Sequence, residues 1–155
     1  MNWEAVGAIG EILGAIAVIV TLVYLAAQIR QNSRFVKAAT YHSTVRARNE
    51  FNFAVATTPE LSALLLRARD ESITLDADER QRFNSLMWGL FNLLEDSIVQ
   101  RENGLLTPES WESTRWSAAG LLKSSGVRDW ANRNSAGFTP ALRAEIASLI
   151  KPTED

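Results

Sequence analysis

A continuous apolar run occupies the start of the chain, and mixed apolar and polar positions occupy the rest. From Ala5 to Ala27 the only residue charged at neutral pH is Glu11. A helix rises about 1.5 Å per residue, so this run is roughly 35 Å long and exceeds a hydrocarbon core of about 30 Å. The pattern predicts a transmembrane helix over residues 1–30. A secretory signal peptide and a buried helix of a soluble protein are less favoured, because the start lacks basic residues and the run is long.

Basic residues follow the apolar run, and no acid occurs until Glu50. Basic flanks usually lie on the cytoplasmic side of a membrane, so the N-terminus is predicted to be outside and the rest of the chain cytoplasmic. A bacterial inner membrane is the expected location. The three nearest basic residues are candidate contacts for anionic lipid headgroups: Arg30, Arg34 and Lys37.

Small residues recur along the apolar run at alternating spacings of three and four, which places them on one stripe of a helix. The members of this small-residue stripe are Gly7, Gly10, Gly14, Ala17 and Thr21. Small side chains let helix backbones approach closely in lipid. The stripe therefore predicts that the helix associates with other copies of itself in a homo-oligomer.

Glu11 borders the small-residue stripe, and a charge exposed to lipid is costly. Three interpretations stay open. The hydrocarbon segment runs from Ile12 to Ile29, about 27 Å, with Glu11 at the headgroups; or Glu11 is protonated and bonded to a neighbouring helix; or an oligomer holds a ring of carboxylates along a cation path. The first two are favoured over the pore.

No helix stop appears before "ATTPEL", so the helix is expected to continue as a basic juxtamembrane stalk over residues 31–57. The stalk carries His42, the only histidine. Histidine is the side chain that most readily changes charge near neutral pH. If stalks associate, His42 is a candidate pH-sensitive residue at their seam.

Residues 58–155 contain repeated helix signals and are predicted to form a small cytoplasmic helical bundle. No useful alternating strand pattern occurs, so the fold class is all-α. The helix after Thr107 is expected to reach about Ser124 and to be broken by Gly126, with a short helix or turn at "VRDWANRN". The start signals are Thr58-Pro59, Asp76 with Glu79, Thr107-Pro108 and Thr139-Pro140, and Asn103-Gly104 is expected to end the longest helix.

The longest of these helices has an apolar face expected to lie at the centre of the bundle. Its members are Phe83, Met87, Leu90, Leu94 and Ile98, with Phe91 beside them; the expected partners are Leu61, Leu64, Leu65, Trp111, Leu121 and Leu122. The tryptophans Trp111, Trp116 and Trp130 are interpreted as core and rim residues. The adjacent carboxylates Glu95 and Asp96 are expected to make a polar contact to another helix, for example with Arg115 or Arg128.

The amino-acid composition excludes several kinds of binding and catalytic site. The chain has 155 residues, no cysteine, one histidine and a formal net charge of -2. These counts exclude disulfides, thiolate metal sites and sites that need several imidazoles. The near-neutral charge argues against a general nucleic-acid binder. No catalytic residue, metal site or cofactor is predicted.

Two segments, "FNLLEDSIVQRENGLLTPESWES" and "GVRDWANRNSAGFTP", together with the "GAIGEILGAIAV" span, resemble a group of small uncharacterised bacterial membrane proteins. The resemblance covers nearly the whole chain. It implies a single-span protein of the bacterial inner membrane with a cytoplasmic helical region and a glutamate within the span. It implies no activity.

Three functional hypotheses follow from the sequence. The preferred one is a non-enzymatic, membrane-anchored helical module that self-associates through its transmembrane helix and engages a protein partner with its bundle. The second is a homo-oligomeric cation channel in which Glu11 forms the selectivity ring. The third and weakest is a sensor whose bundle holds a small ligand.

Overall fold

The computed structural model describes residues 2–150, apart from the side chain of Ala5. Within that range the chain forms six α-helices and one short 3-10 helix and contains no strand, which confirms the all-α class. The helices are α1 (Trp3–Thr57), α2 (Pro59–Ala68), α3 (Ala77–Glu102), α4 (Pro108–Leu122), α5 (Ser125–Asn134) and α6 (Pro140–Ile150), with the 3-10 helix at Ser135–Gly137.

The chain divides into two compact units, and the boundary lies between Ala39 and Thr40. The first unit is the N-terminal part of α1, and every side chain described there is exposed. The second unit contains the last part of α1 together with α2 to α6. In it, the Thr44 hydroxyl donates to the Gln100 side-chain oxygen at 3.1 Å. Part of the predicted stalk thus belongs to the same unit as the bundle, while the division into three domains stays a prediction.

Local capping explains where the helices begin. Asp76 and Glu79 form the expected capping box at the start of α3, with the Asp76 carboxylate accepting from the Glu79 backbone N–H at 2.8 Å. At the start of α4 the Thr107 hydroxyl accepts from the Ser110 N–H at 3.2 Å. Gly104 follows α3 with φ of 67°, a left-handed conformation that favours glycine. These predicted boundaries are confirmed.

The prediction that Gly126 breaks a helix is wrong. The break lies at Lys123 and Ser124, and Gly126 belongs to α5. A Cβ atom at this position would lie 2.0 Å from the backbone oxygen of Ala68, and the Gly126 N–H donates to the Arg69 carbonyl at 2.9 Å. Glycine is therefore needed because the start of α5 packs directly on the end of α2.

The core of the second unit is built around α3, as predicted. Its expected face is buried or packed against the core, and Trp111, Leu121 and Leu122 of α4 contact it. Phe138, Leu142 and Ile146, which the sequence did not single out, complete the core. Leu64 is buried on α2.

The tryptophans differ in their surroundings. Trp111 and Trp130 are buried, and the Arg101 guanidinium lies 4.6 Å from the Trp111 ring centroid. Trp116 is 80% exposed, so the expectation of core or rim packing is wrong for it. Trp116 lies on the side of α4 that faces solvent. The amino-acid type alone does not show on which side of the helix a tryptophan lies.

Candidate membrane-spanning segment and other sites

The segment Val6–Thr57 within α1 is the one helix among the described residues that is long and apolar enough to cross a membrane. Its N-terminal part exposes large apolar side chains around its whole circumference, for example Leu13, Val18 and Ile19, which point in three different directions. Length and composition of this kind also fit a signal sequence or a core helix of a soluble protein.

Glycines of the small-residue stripe lie in open surroundings. A Cβ atom built on Gly7, Gly10 or Gly14 meets no atom within 4 Å. Glycine in a helix interior costs about 1 kcal/mol relative to alanine in water. Within the described residues, therefore, no neighbouring atom requires a glycine at these three positions. The stripe itself stays a prediction.

Polar side chains in the apolar segment have different environments. The Thr21 hydroxyl donates to the Ala17 carbonyl at 2.8 Å, and the Gln28 amide donates to the Tyr24 hydroxyl at 3.0 Å. These groups are satisfied within their own helix. Glu11 is exposed, and among residues 2–150 it has no hydrogen-bond or ion-pair partner. Glu11 is thus the polar side chain in the segment that most needs a partner or water.

Other residues predicted from the basic stalk are also exposed. Arg30, Arg34 and Lys37 lie on the surface of α1, so their side chains are accessible to a headgroup. His42 is exposed as well, and its ring contacts that of Tyr41 edge-on, with centroids 5.9 Å apart. Lipid contact and a pH-sensitive seam stay predictions.

The expected contact of Glu95 or Asp96 with Arg115 or Arg128 is wrong. The Asp96 carboxylate accepts a hydrogen bond from Gln100 in its own helix. Glu95 is partly buried, and its Oε1 atom has no hydrogen-bond partner among the described residues.

Both arginines have other partners. The Arg115 Nε atom lies 2.7 Å from Glu145 Oε1 on α6, and this hydrogen bond raises the pKa of Arg115 above its ordinary value. The Arg128 guanidinium donates to the carbonyls of Leu122 and Lys123 at 3.0 and 2.8 Å, where α4 ends. Arginine near the last carbonyls of a helix is a common form of C-terminal capping. The packing of α4, α5 and α6 determines which groups these two arginines contact, and spacing along the sequence does not show it.

Two adjoining cavities within residues 40–150 were not predicted. They are formed by the last part of α1 with α3 and α4, and Arg48 lines both of them. The available signal was the spacing of Tyr41, Thr44, Val45 and Arg48, which lie on one helix face. In the sequence this face was interpreted only as part of a basic stalk.

Comparison with known proteins assigns no family. No family model matches the chain, and neither a curated protein nor a solved structure matches it. The resemblance to small single-span bacterial membrane proteins therefore stays a prediction from the quoted segments. Among the described residues no cluster of three or more potential ligands suited to a metal ion occurs.

Proposed function

We propose that the chain is a non-enzymatic, membrane-anchored helical module. Its N-terminal helix would span a bacterial inner membrane and associate with other copies, and its bundle would engage a protein partner. The observation that carries this proposal is the fully exposed apolar surface of α1, which extends from Val6 to Ile29. Contiguous apolar surface of this extent marks contact with a membrane or with protein.

Self-association is supported by the position of the three glycines. Gly7, Gly10 and Gly14 share one stripe on an exposed helix, and added Cβ atoms there meet nothing in the chain. A second helix can approach closely along such a surface, and the van der Waals packing that close approach allows favours helix association in lipid. The long apolar residues elsewhere on the helix would face lipid.

We expect the double substitution Gly10→Leu with Gly14→Leu to weaken association in lipid vesicles about tenfold or more, roughly 1.4 kcal/mol. Two leucine side chains would separate the backbones. The measurement is energy transfer between donor- and acceptor-labelled full-length chains as the protein-to-lipid ratio is varied.

The matched control is Ala8→Leu with Ala15→Leu, which adds similar bulk on the other side of the helix. The control is expected to associate like the unsubstituted chain. Equal energy transfer for all three proteins, or none in any of them, would remove the self-association proposal.

Orientation is proposed from charge. Arg30, Arg34 and Lys37 follow the apolar segment, whereas Glu4 precedes it. The basic side is expected in the cytoplasm, where these side chains would contact anionic headgroups. The bundle would then be cytoplasmic, and the N-terminus would be outside.

A protein partner for the bundle is supported by large apolar side chains that the second unit leaves exposed. Trp116 is 80% exposed, and Phe53 and Leu66 are each 68% exposed. Aromatic residues are enriched at protein interfaces, where tryptophan often contributes much of the binding energy.

The exposed carboxylate of Glu11 within the apolar segment supports a second candidate function, a homo-oligomeric cation channel. An exposed carboxylate without a partner in an apolar helix is explained if several copies place it in water at the centre of a pore. A single helix cannot enclose a path, so this function depends on association. Sensing of a small ligand by the bundle is the weakest candidate for the overall function.

For the channel, we expect purified chain in liposomes to conduct cations, and Glu11→Gln to reduce the preference for cations over anions several-fold. Removing the carboxylates removes the charge that attracts cations. Glu4→Gln is the control, since Glu4 precedes the apolar segment. Absence of conductance, or unchanged selectivity in Glu11→Gln, would exclude the channel in this form.

A further inference from the structure

Two adjoining cavities in the second unit form a crevice that combines charge with an apolar end. The first cavity has a volume of about 160 Å³ and the second about 80 Å³. Thr44, Arg48 and Thr114 line both, so the cavities meet at these three residues. A cavity of about 150 Å³ is large enough for a benzene-sized molecule. The crevice therefore has room for a small organic ligand.

The first cavity has polar walls. Tyr41, Ser110 and Ser113 contribute hydroxyl groups, and Arg48 and Glu109 contribute opposite charges. Although both charged residues line the cavity, they form no ion pair with each other. A molecule that carries both a negative and a positive group would complement this lining.

Arg48 is the cation that lacks a partner. Its side chain is partly buried, and among residues 2–150 it makes no hydrogen bond or ion pair. Arg46, two residues earlier, is exposed and pairs with Glu50 at 2.8 Å. An arginine fork matches the two oxygens of a carboxylate, and such charge-assisted bonds are stronger than neutral ones. Arg48 is thus suited to hold a ligand carboxylate.

Glu109 supplies the negative charge. It lies in the first turn of α4, where its own backbone N–H and the Thr107 hydroxyl hold its pKa below the ordinary value. The carboxylate therefore stays ionised at neutral pH. An ionised carboxylate beside a cavity favours a ligand ammonium group and disfavours a ligand that is only anionic.

The second cavity is largely apolar. Leu90, Leu93 and Leu94 of α3 line it together with Ala118 and Leu121 of α4. Burying an aliphatic chain against such walls is favourable because it removes apolar surface from water. Its volume of about 80 Å³ suits a short branched side chain better than an aromatic ring.

We propose that this crevice binds a free amino acid with a short aliphatic side chain. The carboxylate pairs with Arg48, the ammonium group pairs with Glu109, and the side chain enters the cavity lined by leucines. All the residues involved lie between Tyr41 and Leu121 in the second unit. The site is independent of the proposed self-association, so failure of either one leaves the other standing.

Isothermal titration of the full-length chain in detergent micelles with L-leucine tests the site. Saturable binding is expected. N-acetyl-leucine, which lacks the ammonium group, and leucinamide, which lacks the carboxylate, are each expected to bind at least about tenfold more weakly. The proposal would be overturned if leucine gave no saturable heat at concentrations up to about 10 mM, or if N-acetyl-leucine bound as tightly as leucine.

Substitutions test whether Arg48 and Glu109 bind the two charged groups of leucine. Arg48→Gln and Glu109→Gln are each expected to weaken leucine binding about 10- to 100-fold. Their matched controls, Arg46→Gln and Glu112→Gln, change exposed charges that line neither cavity and are expected to bind leucine normally. If the control substitutions weakened leucine binding as much as the site substitutions do, the roles given to Arg48 and Glu109 would be contradicted. The two leucine analogues decide the question on the unsubstituted chain if a variant fails to fold.

Discussion

Replacing Trp130 by alanine is expected to lower the free energy of unfolding of the bundle by about 3–5 kcal/mol. The Trp130 side chain is 3% exposed, and its ring lies 5.3 Å from that of Phe91 and 5.4 Å from that of Trp88, measured between centroids. Its Nε1–H donates to the Asn84 side-chain oxygen at 3.0 Å. The substitution removes these aromatic contacts, leaves a cavity and deprives Asn84 of its partner.

Trp116→Ala is the matched control, since it deletes the same side chain from a site that is 80% exposed. The expected change is within about 0.5 kcal/mol. Urea unfolding of the full-length variants in detergent, followed by circular dichroism, gives both values. A loss below about 1 kcal/mol for Trp130→Ala, or equal losses for both variants, would contradict the described core.

Gly126→Ala is expected to destabilise the bundle by about 2–3 kcal/mol, although alanine is a better helix former than glycine. The new Cβ atom would lie 2.0 Å from the Ala68 carbonyl oxygen. Relief requires the start of α5 to move away from the end of α2, which weakens the hydrogen bond from the Gly126 N–H to the Arg69 carbonyl. The same unfolding measurement applies.

Gly120→Ala provides the comparison within a neighbouring helix. Gly120 is exposed in α4, and a Cβ atom there meets nothing within 4 Å. Alanine is therefore expected to stabilise the chain by about 0.5–1 kcal/mol. Stabilisation by both substitutions would show that α5 does not pack on α2 as described.

Helix starts were predictable because their signals are local. Asp76 and Glu79 are three residues apart, and Thr107 precedes Pro108, so each cap is complete within a single turn. The apolar face of α3 was predictable for a similar reason, because its period alone selects Phe83 and Met87.

Packing between distant segments was not predictable in the same way. Gly126 has an ordinary place in a helix, and its requirement for glycine comes from Ala68, 58 positions earlier in the chain. Arg115 was considered as a partner for α3, but the fold places Glu145 of α6 within 2.7 Å of it. Neither contact has a signature at short sequence separation.

The candidate sites show the same difference between local sequence signals and contacts of distant segments. Glu11 could be identified from the sequence because it is the only residue between Ala5 and Ala27 that is charged at neutral pH. The crevice at Arg48 depends on three helices, with Leu93 and Thr114 distant in sequence. Charge counting therefore identified Arg48 only as one of several basic residues.

Protease digestion of sealed, inverted inner-membrane vesicles that carry the full-length chain tests membrane anchoring most directly. Because the cytoplasmic face is outward in these vesicles, we predict that protease removes the bundle. A fragment from the N-terminus to about Arg34 is predicted to stay with the vesicles after alkaline extraction, and its mass is measured. Absence of the chain from the vesicles, release of the fragment by alkali, or full protection of the bundle would contradict the proposed anchoring and orientation.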